Sequence, residues 1–182
     1  MNKMNCDISA VLFDEYKIQT RIRELGSEIS NSYNGSTPVM IGILKGGFVF
    51  LADLVRSITI PVEVDFLAIS SYGDQTSSSG VVKIRKDIDI DISGRDVIVV
   101  EDIVDSGLSL AYIKDYLMQH KPAGLKTCVL LDKPAAHKTD VKFDYVGFSI
   151  KNEFVVGYGL DYAEKYRNLP YIGILKEELY IC

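Results

Sequence analysis

The sequence predicts an α/β fold, with a mostly parallel central sheet flanked by helices. Three observations carry this. The apolar runs VMIGIL at 39–44, VIVV at 97–100 and TCVLL at 127–131 lack polar alternation, as strands covered on both faces do. Stretches with helical spacing lie between such runs, so strand, helix and strand repeat. The 182 residues hold no internal repeat, low-complexity tail or linker, so one domain is expected.

Asp14 is placed to cap a helix whose apolar stripe is Ile18, Ile22, Leu25 and Ile29, ended by Asn34-Gly35. Pro38 opens the buried strand 39–44, which stops at Lys45-Gly46-Gly47, and Phe48, Leu51, Leu54 and Val55 then give a second helix. Pro61 starts the strand VEVDFLAIS, with Val62, Val64 and Phe66 on one face. Residues 70–80, SSYGDQTSSSG, have little to bury and read as a mobile surface loop. VVKIR at 81–85 would close a long hairpin with 62–70. Residues 88–91 lead through the Ser93-Gly94 turn into VIVV. A third helix, carrying Leu110, Ile113, Leu117 and Met118, ends near residues 121–124, and the strand 127–131 follows. The last forty residues are expected to form small strands beside the sheet, separated by Gly157, Gly159 and Pro170.

Twenty Lys and Arg against 25 Asp and Glu give a net charge of −5, which disfavours a nucleic-acid partner bound through a broad basic surface. Cys6, Cys128 and Cys182 match no disulfide framework or zinc spacing, pointing to a reduced, cytoplasmic setting. The N-terminal MNKMNCDISA has no apolar signal core, and no run approaches the ~18 apolar residues of a membrane span. A soluble protein with no membrane partner is expected.

The chemistry concentrates in VIVVEDIVDSGLS at 97–109. The strand is expected to end at the acidic pair Glu101 and Asp102, with a turn through Asp105-Ser106-Gly107 and a helix from near Ser109. Ligands of open α/β sheets lie beyond the carboxyl ends of strands, where this loop must be. The N–H groups of Ser106, Gly107, Leu108 and Ser109 can hold a phosphate at a helix N-terminus; Gly107 permits close approach and two serine hydroxyls add donors. Carboxylates beside a phosphate make sense if the ligand also offers hydroxyls or Mg²⁺, as a sugar phosphate with a vicinal diol does. A glycine pair after Lys45 likewise lets main-chain amides face an anion.

VIVVEDIVDSGLS resembles the phosphoribosyl-diphosphate motif of type I phosphoribosyltransferases. LKGG at 44–47, SSYG at 70–73, LLDKP at 130–134 and EFVVGYGLDYAEKYRNLPYIGIL at 153–175 are similar to segments of the bacterial hypoxanthine(-guanine) branch, in order, from about residue 10 to the end. The resemblance implies a type I phosphoribosyltransferase fold: a five-stranded, mostly parallel core sheet and a small hood subdomain built from terminal segments. It also implies transfer of the phosphoribosyl group of phosphoribosyl diphosphate to hypoxanthine and guanine in purine salvage, dependence on Mg²⁺, and a homodimer or homotetramer.

Roles implied by the resemblance attach to particular residues. Lys45, Gly46, Gly47 and Arg167 would bind pyrophosphate, and Glu101 and Asp102 the ribose hydroxyls and Mg²⁺. Asp105 would be the acid/base at purine N7, and Lys133 the donor to the 6-oxo group, which rejects adenine because an ammonium only donates. Phe154 would stack on the purine beside Val155. Asp161 would lie near the purine 2-substituent and a second Mg²⁺, and Ser71 and Tyr72 would belong to a lid that excludes water. Lys133 does not by itself separate hypoxanthine from xanthine, since both carry the 6-oxo group. A regulatory protein that keeps this loop and binds nucleic acid is the rival reading, opposed by the acidic charge.

Overall fold

Helix formation begins where an acid can cap it. In the computed structural model, which describes residues 3–71 and 82–181, the Asp14 carboxylate accepts the Lys17 N–H at 2.8 Å at the start of α1 (Glu15–Ser32). Ile18, Ile22, Leu25 and Ile29 are buried along one side of it, as their spacing requires. The sheet that α1 covers contains β2 (Val39–Leu44), β3 (Glu63–Ser71), β4 (Val82–Lys86), β5 (Asp96–Val104), β6 (Gly124–Asp132) and β7 (Tyr145–Ser149), in the order β4-β3-β2-β5-β6-β7. Five of these strands run parallel, and β4 pairs antiparallel with β3 as the expected hairpin partner.

Alternation along β5 divides the core. Ile98 and Val100 face α1 and α2 (Phe48–Ser57), together with Cys128 and Leu130 of β6. Val97 and Val99 face α3 (Leu108–Met118), where Leu110, Ile113 and Leu117 pack on Ile41, Ile43 and Val129. Both faces of VIVV are therefore dry, which is why its sequence shows no polar alternation.

A second, antiparallel sheet joins β1 (Ile8–Phe13), β9 (Ile172–Leu175) and β8 (Val155–Val156), in that order. Both terminal segments contribute to it, over a small cluster of Val156, Tyr166, Leu169 and Leu175.

Several expectations are corrected. The main sheet has six strands rather than five, because β4 extends the parallel set. Residues 145–149 are its edge strand, not a small strand beside it. Strand β5 does not stop before Glu101: β6 keeps pairing with it to Val104↔Asp132, although its other neighbour, β2, stops at Val100. Phe48 opens α2 beside the rim loop and is exposed; Phe50 takes the buried place. Met118, in the last turn of α3, is exposed too. In β3, Val64 is exposed and Asp65 is buried. The Asp65 carboxylate accepts N–H bonds from Phe66, Asp89 and Ile90 and one from Lys86 Nζ. A buried acid satisfied by four donors defeats any pattern that counts only apolar side chains.

Order in the sheet sets the site. The chain passes from β2 outward to β3 and from β5 outward in the opposite direction to β6, so the strand order reverses between β2 and β5. Loops leaving the carboxyl ends of those two strands part there and leave a crevice.

Candidate active site

The β5–α3 turn builds one wall of the crevice. Gly107 is the helix N-cap in a left-handed conformation, φ 78°, and no side chain caps the helix. The first amides of α3 therefore have no partner within the helix. They open on a cavity of about 270 Å³ lined by Glu101, Ile103, Asp105, Ser106, Gly107 and Ser109, among others. Residues 138–141 back the turn. The Lys138 N–H donates to the Ser106 carbonyl at 3.0 Å, and a Cβ on Gly107 would lie 2.6 Å from Val141 Cγ2. Leu108 contributes its amide, which lies 3.4 Å from Ser106 Oγ, while its side chain points outward and is exposed.

Glu101, Ile103, Val104 and Asp105, at and just past the end of β5, line the cavity. Asp102 is buried and pressed against the Lys45 loop, where a Cβ on Gly46 would overlap its Oδ2. Burial raises both the Glu101 and the Asp102 carboxyl above the usual range, and for Glu101 the charge of Asp102 adds to the effect. Such a pair favours an added cation, and two carboxylates with open positions suit Mg²⁺, which shares its sphere with water and phosphate oxygens. Among the described residues no group of three metal-binding side chains assembles.

The opposite wall is the loop after β2. Its Leu44-Lys45 peptide is cis. Across it runs the segment before β9, whose Gly159 (φ 98°) allows the Gly46 carbonyl oxygen to come where a Cβ would sit. Arg167 donates from Nη1 to the Gly159 carbonyl at 2.8 Å and pairs through Nη2 with Asp161 Oδ1 at 2.8 Å. Its Nε is buried without a partner. Lys45 Nζ is 3.1 Å from Glu164 Oε2, and Lys45 holds the Glu164 carboxyl below its usual range.

Lys133 follows β6, its N–H donating to the Val104 carbonyl at 3.1 Å. Its side chain is buried, and Nζ lies 2.8 Å from Asp105 Oδ1. Phe154 lies in a separate groove of about 530 Å³, with its ring stacked on Tyr180 at 4.6 Å. Val155 is buried in β8 and packs in the core. Ser71 ends β3, and Tyr72 lies outside the described residues, as do residues 73–80 of the expected lid.

The structure thus unites Glu101, Asp105, Ser106, Gly107 and Ser109 in one cavity, with Lys133 joined to Asp105. Lys45, Gly46, Asp102, Asp161 and Arg167 form the facing wall, and Phe154 stands in a separate groove. Sequence reading missed Ile103, Gly159 and Glu164. Ile103 lies between the acids Glu101 and Asp105 of the motif, and Glu164 lies three residues from both Asp161 and Arg167.

A crevice at a strand-order reversal, with a main-chain anion cradle facing two cations, is an arrangement for a phosphorylated ligand. Comparison with known proteins makes the class specific. A model of the phosphoribosyl transferase domain matches residues 12–163. The chain is 50% identical over 177 residues to the hypoxanthine-guanine phosphoribosyltransferase of Bacillus subtilis, covering 97% of this chain and 98% of that one. It is 52% identical to the bifunctional protein TilS/HprT of Listeria monocytogenes, of which it spans only 27%. A crystal structure of a hypoxanthine phosphoribosyltransferase from Staphylococcus aureus superposes with a TM-score of 0.95 at 45% identity, covering 99% of this chain and 98% of that one. The chain belongs to the phosphoribosyltransferase family. Within it, the chain stands with the hypoxanthine-guanine phosphoribosyltransferases.

Proposed function

We propose that this chain transfers the 5-phosphoribosyl group of phosphoribosyl diphosphate to N9 of hypoxanthine or guanine, releasing pyrophosphate. The observation that carries this reading is the Lys133–Asp105 pair, 2.8 Å apart, beside the amide cradle of residues 106–109. A 6-oxopurine presents O6 and N7 as neighbours on one edge. Lys133 donates to O6 while Asp105 takes the proton carried by N7. As that proton leaves, N9 bonds to C1′ of the ribose and the bond from C1′ to the diphosphate oxygen breaks. The electron pair of that bond departs with pyrophosphate.

The remaining residues orient and hold. Amides of residues 106–109 and the hydroxyls of Ser106 and Ser109 grip the 5′-phosphate, and Glu101 accepts from the ribose hydroxyls. Lys45, Arg167 and the amides of Gly46 and Gly47 take the diphosphate, whose negative charge grows as the ribosyl bond loosens. Glu101 and Asp102, with Asp161 for a second ion, would hold Mg²⁺, which neutralises diphosphate charge when bound. Phe154 supplies an aromatic face beside the base. Adenine is refused because its 6-amino group meets the Lys133 ammonium donor to donor.

Free Cys6 and Cys128 accord with a reducing, cytoplasmic setting, and light scattering would read the dimer or tetramer that the family resemblance implies. The deciding experiment supplies hypoxanthine, guanine, xanthine and adenine in turn with phosphoribosyl diphosphate and Mg²⁺, following pyrophosphate. Release is expected with hypoxanthine and guanine; efficient use of adenine, or no release with any base, would overturn the reading.

A further inference from the structure

Lys45, in the loop after β2, and Arg167, in the segment before β9, meet over one atom. Glu164 Oε2 lies 3.1 Å from Lys45 Nζ and 3.6 Å from Arg167 Nη2. Two cations converging on a single carboxylate oxygen reproduce what a diphosphate oxygen would meet at the same place. We infer that the Glu164 carboxylate is an internal substitute for the substrate's diphosphate, holding both cations in the unliganded enzyme and leaving when the diphosphate arrives. This rests on the reaction proposed above and deepens it, because it makes Glu164 a determinant of diphosphate affinity and release.

Three features fit an exchangeable contact rather than a permanent brace. The Lys45 and Glu164 side chains are 67% and 66% exposed, so the pair is solvated, weak and free to open without disturbing the core. Arg167 does not depend on Glu164 for its place, since Asp161 and the Gly159 carbonyl each hold it at 2.8 Å. Its buried Nε has no partner, a donor left for something the protein does not supply. The backbone meanwhile commits Glu164 to this position. Ala163 and Glu164 are both left-handed, at φ 50° and 61°, and the Glu164 N–H is anchored on Asp161 Oδ2 at 2.9 Å. The carboxylate can swing away while its Cα stays fixed.

The test is calorimetric titration of pyrophosphate, with Mg²⁺, into the full chain, its Glu164→Gln and Glu164→Ala variants, and Asp115→Asn on the exposed side of α3 as a control for loss of one exposed negative charge. Both Glu164 variants should bind about two- to fivefold more tightly than the unaltered chain, as expected for losing a solvated competitor. The control should match the unaltered chain, and the gain should shrink at high salt. KM for phosphoribosyl diphosphate should fall in step, without a rise in kcat. Unchanged or weaker pyrophosphate binding by both Glu164 variants, with the unaltered chain binding normally, would overturn the inference and make Glu164 a support for the cations. Failure of the unaltered chain to bind pyrophosphate would instead overturn the proposed reaction, and this inference with it.

Discussion

Asp105 and Lys133 face each other as a charged pair, which in the proposed reaction meets the purine edge. Asp105 is half exposed and Lys133 is buried, so the aspartate is the member free to move toward a ligand. Replacing Asp105 with Asn removes the proton acceptor and keeps the shape. Turnover should fall about 10²- to 10⁴-fold, the usual worth of a positioned acid/base, with nucleotide binding largely kept. Steady-state kinetics beside a product-binding titration would check this, and near-normal turnover would remove Asp105 from the mechanism. Lys133→Met should instead weaken hypoxanthine binding while leaving phosphoribosyl diphosphate binding intact, since only the base edge loses a donor.

Among the elements, the β5–α3 turn and the loop after β2 act through main chain more than side chain. Gly107→Ala meets two obstacles, a left-handed φ of 78° and a Val141 methyl 2.6 Å from the new Cβ. It should weaken nucleotide 5′-phosphate binding at least tenfold while the melting temperature moves only a few degrees, a contrast that product titration and thermal melts would display. Legibility in the sequence follows the same division. The helix at 15–32 was readable because its cap and four apolar residues are local signals, and strand 97–100 because dry faces leave a purely apolar run. The extension of β5 through Asp102 was not, because the pairing with β6 that holds it comes from residues 129–132. Motif order pointed to the cradle and to Lys45, Lys133 and Arg167. It did not reveal that Asp102 faces Gly46 rather than the cavity, nor that Glu164 joins the cations, since both depend on how separate loops are brought together.

For the molecule as a whole, Asp65 ties the hairpin strand to the segment leading into β5. Burial acts to raise its pKa, but three backbone N–H donors and Lys86 outweigh that, so the native carboxyl is held below its ordinary value. A group depressed in the native state stabilises it above the unfolded pKa, near ~3.9, and loses that contribution as pH falls through the native value. Thermal melts from neutral to acid pH should therefore show Asp65→Asn less stable at pH 7 by about 1–3 kcal/mol, with the gap closing as the solution is acidified. A gap that held constant with pH would mean that shape, not charge, is what the position supplies.

The meeting of Gly159 with Gly46 bears on how the two sheets are spaced. No methyl or larger group stands between these peptides, so the approach of one loop to the other is already at its steric limit. That hard stop fixes how closely the segment before β9 can approach the loop after β2, independently of their side chains. A saturation screen should therefore find Gly159 intolerant of every replacement, alanine included, although the residue has no functional group to lose.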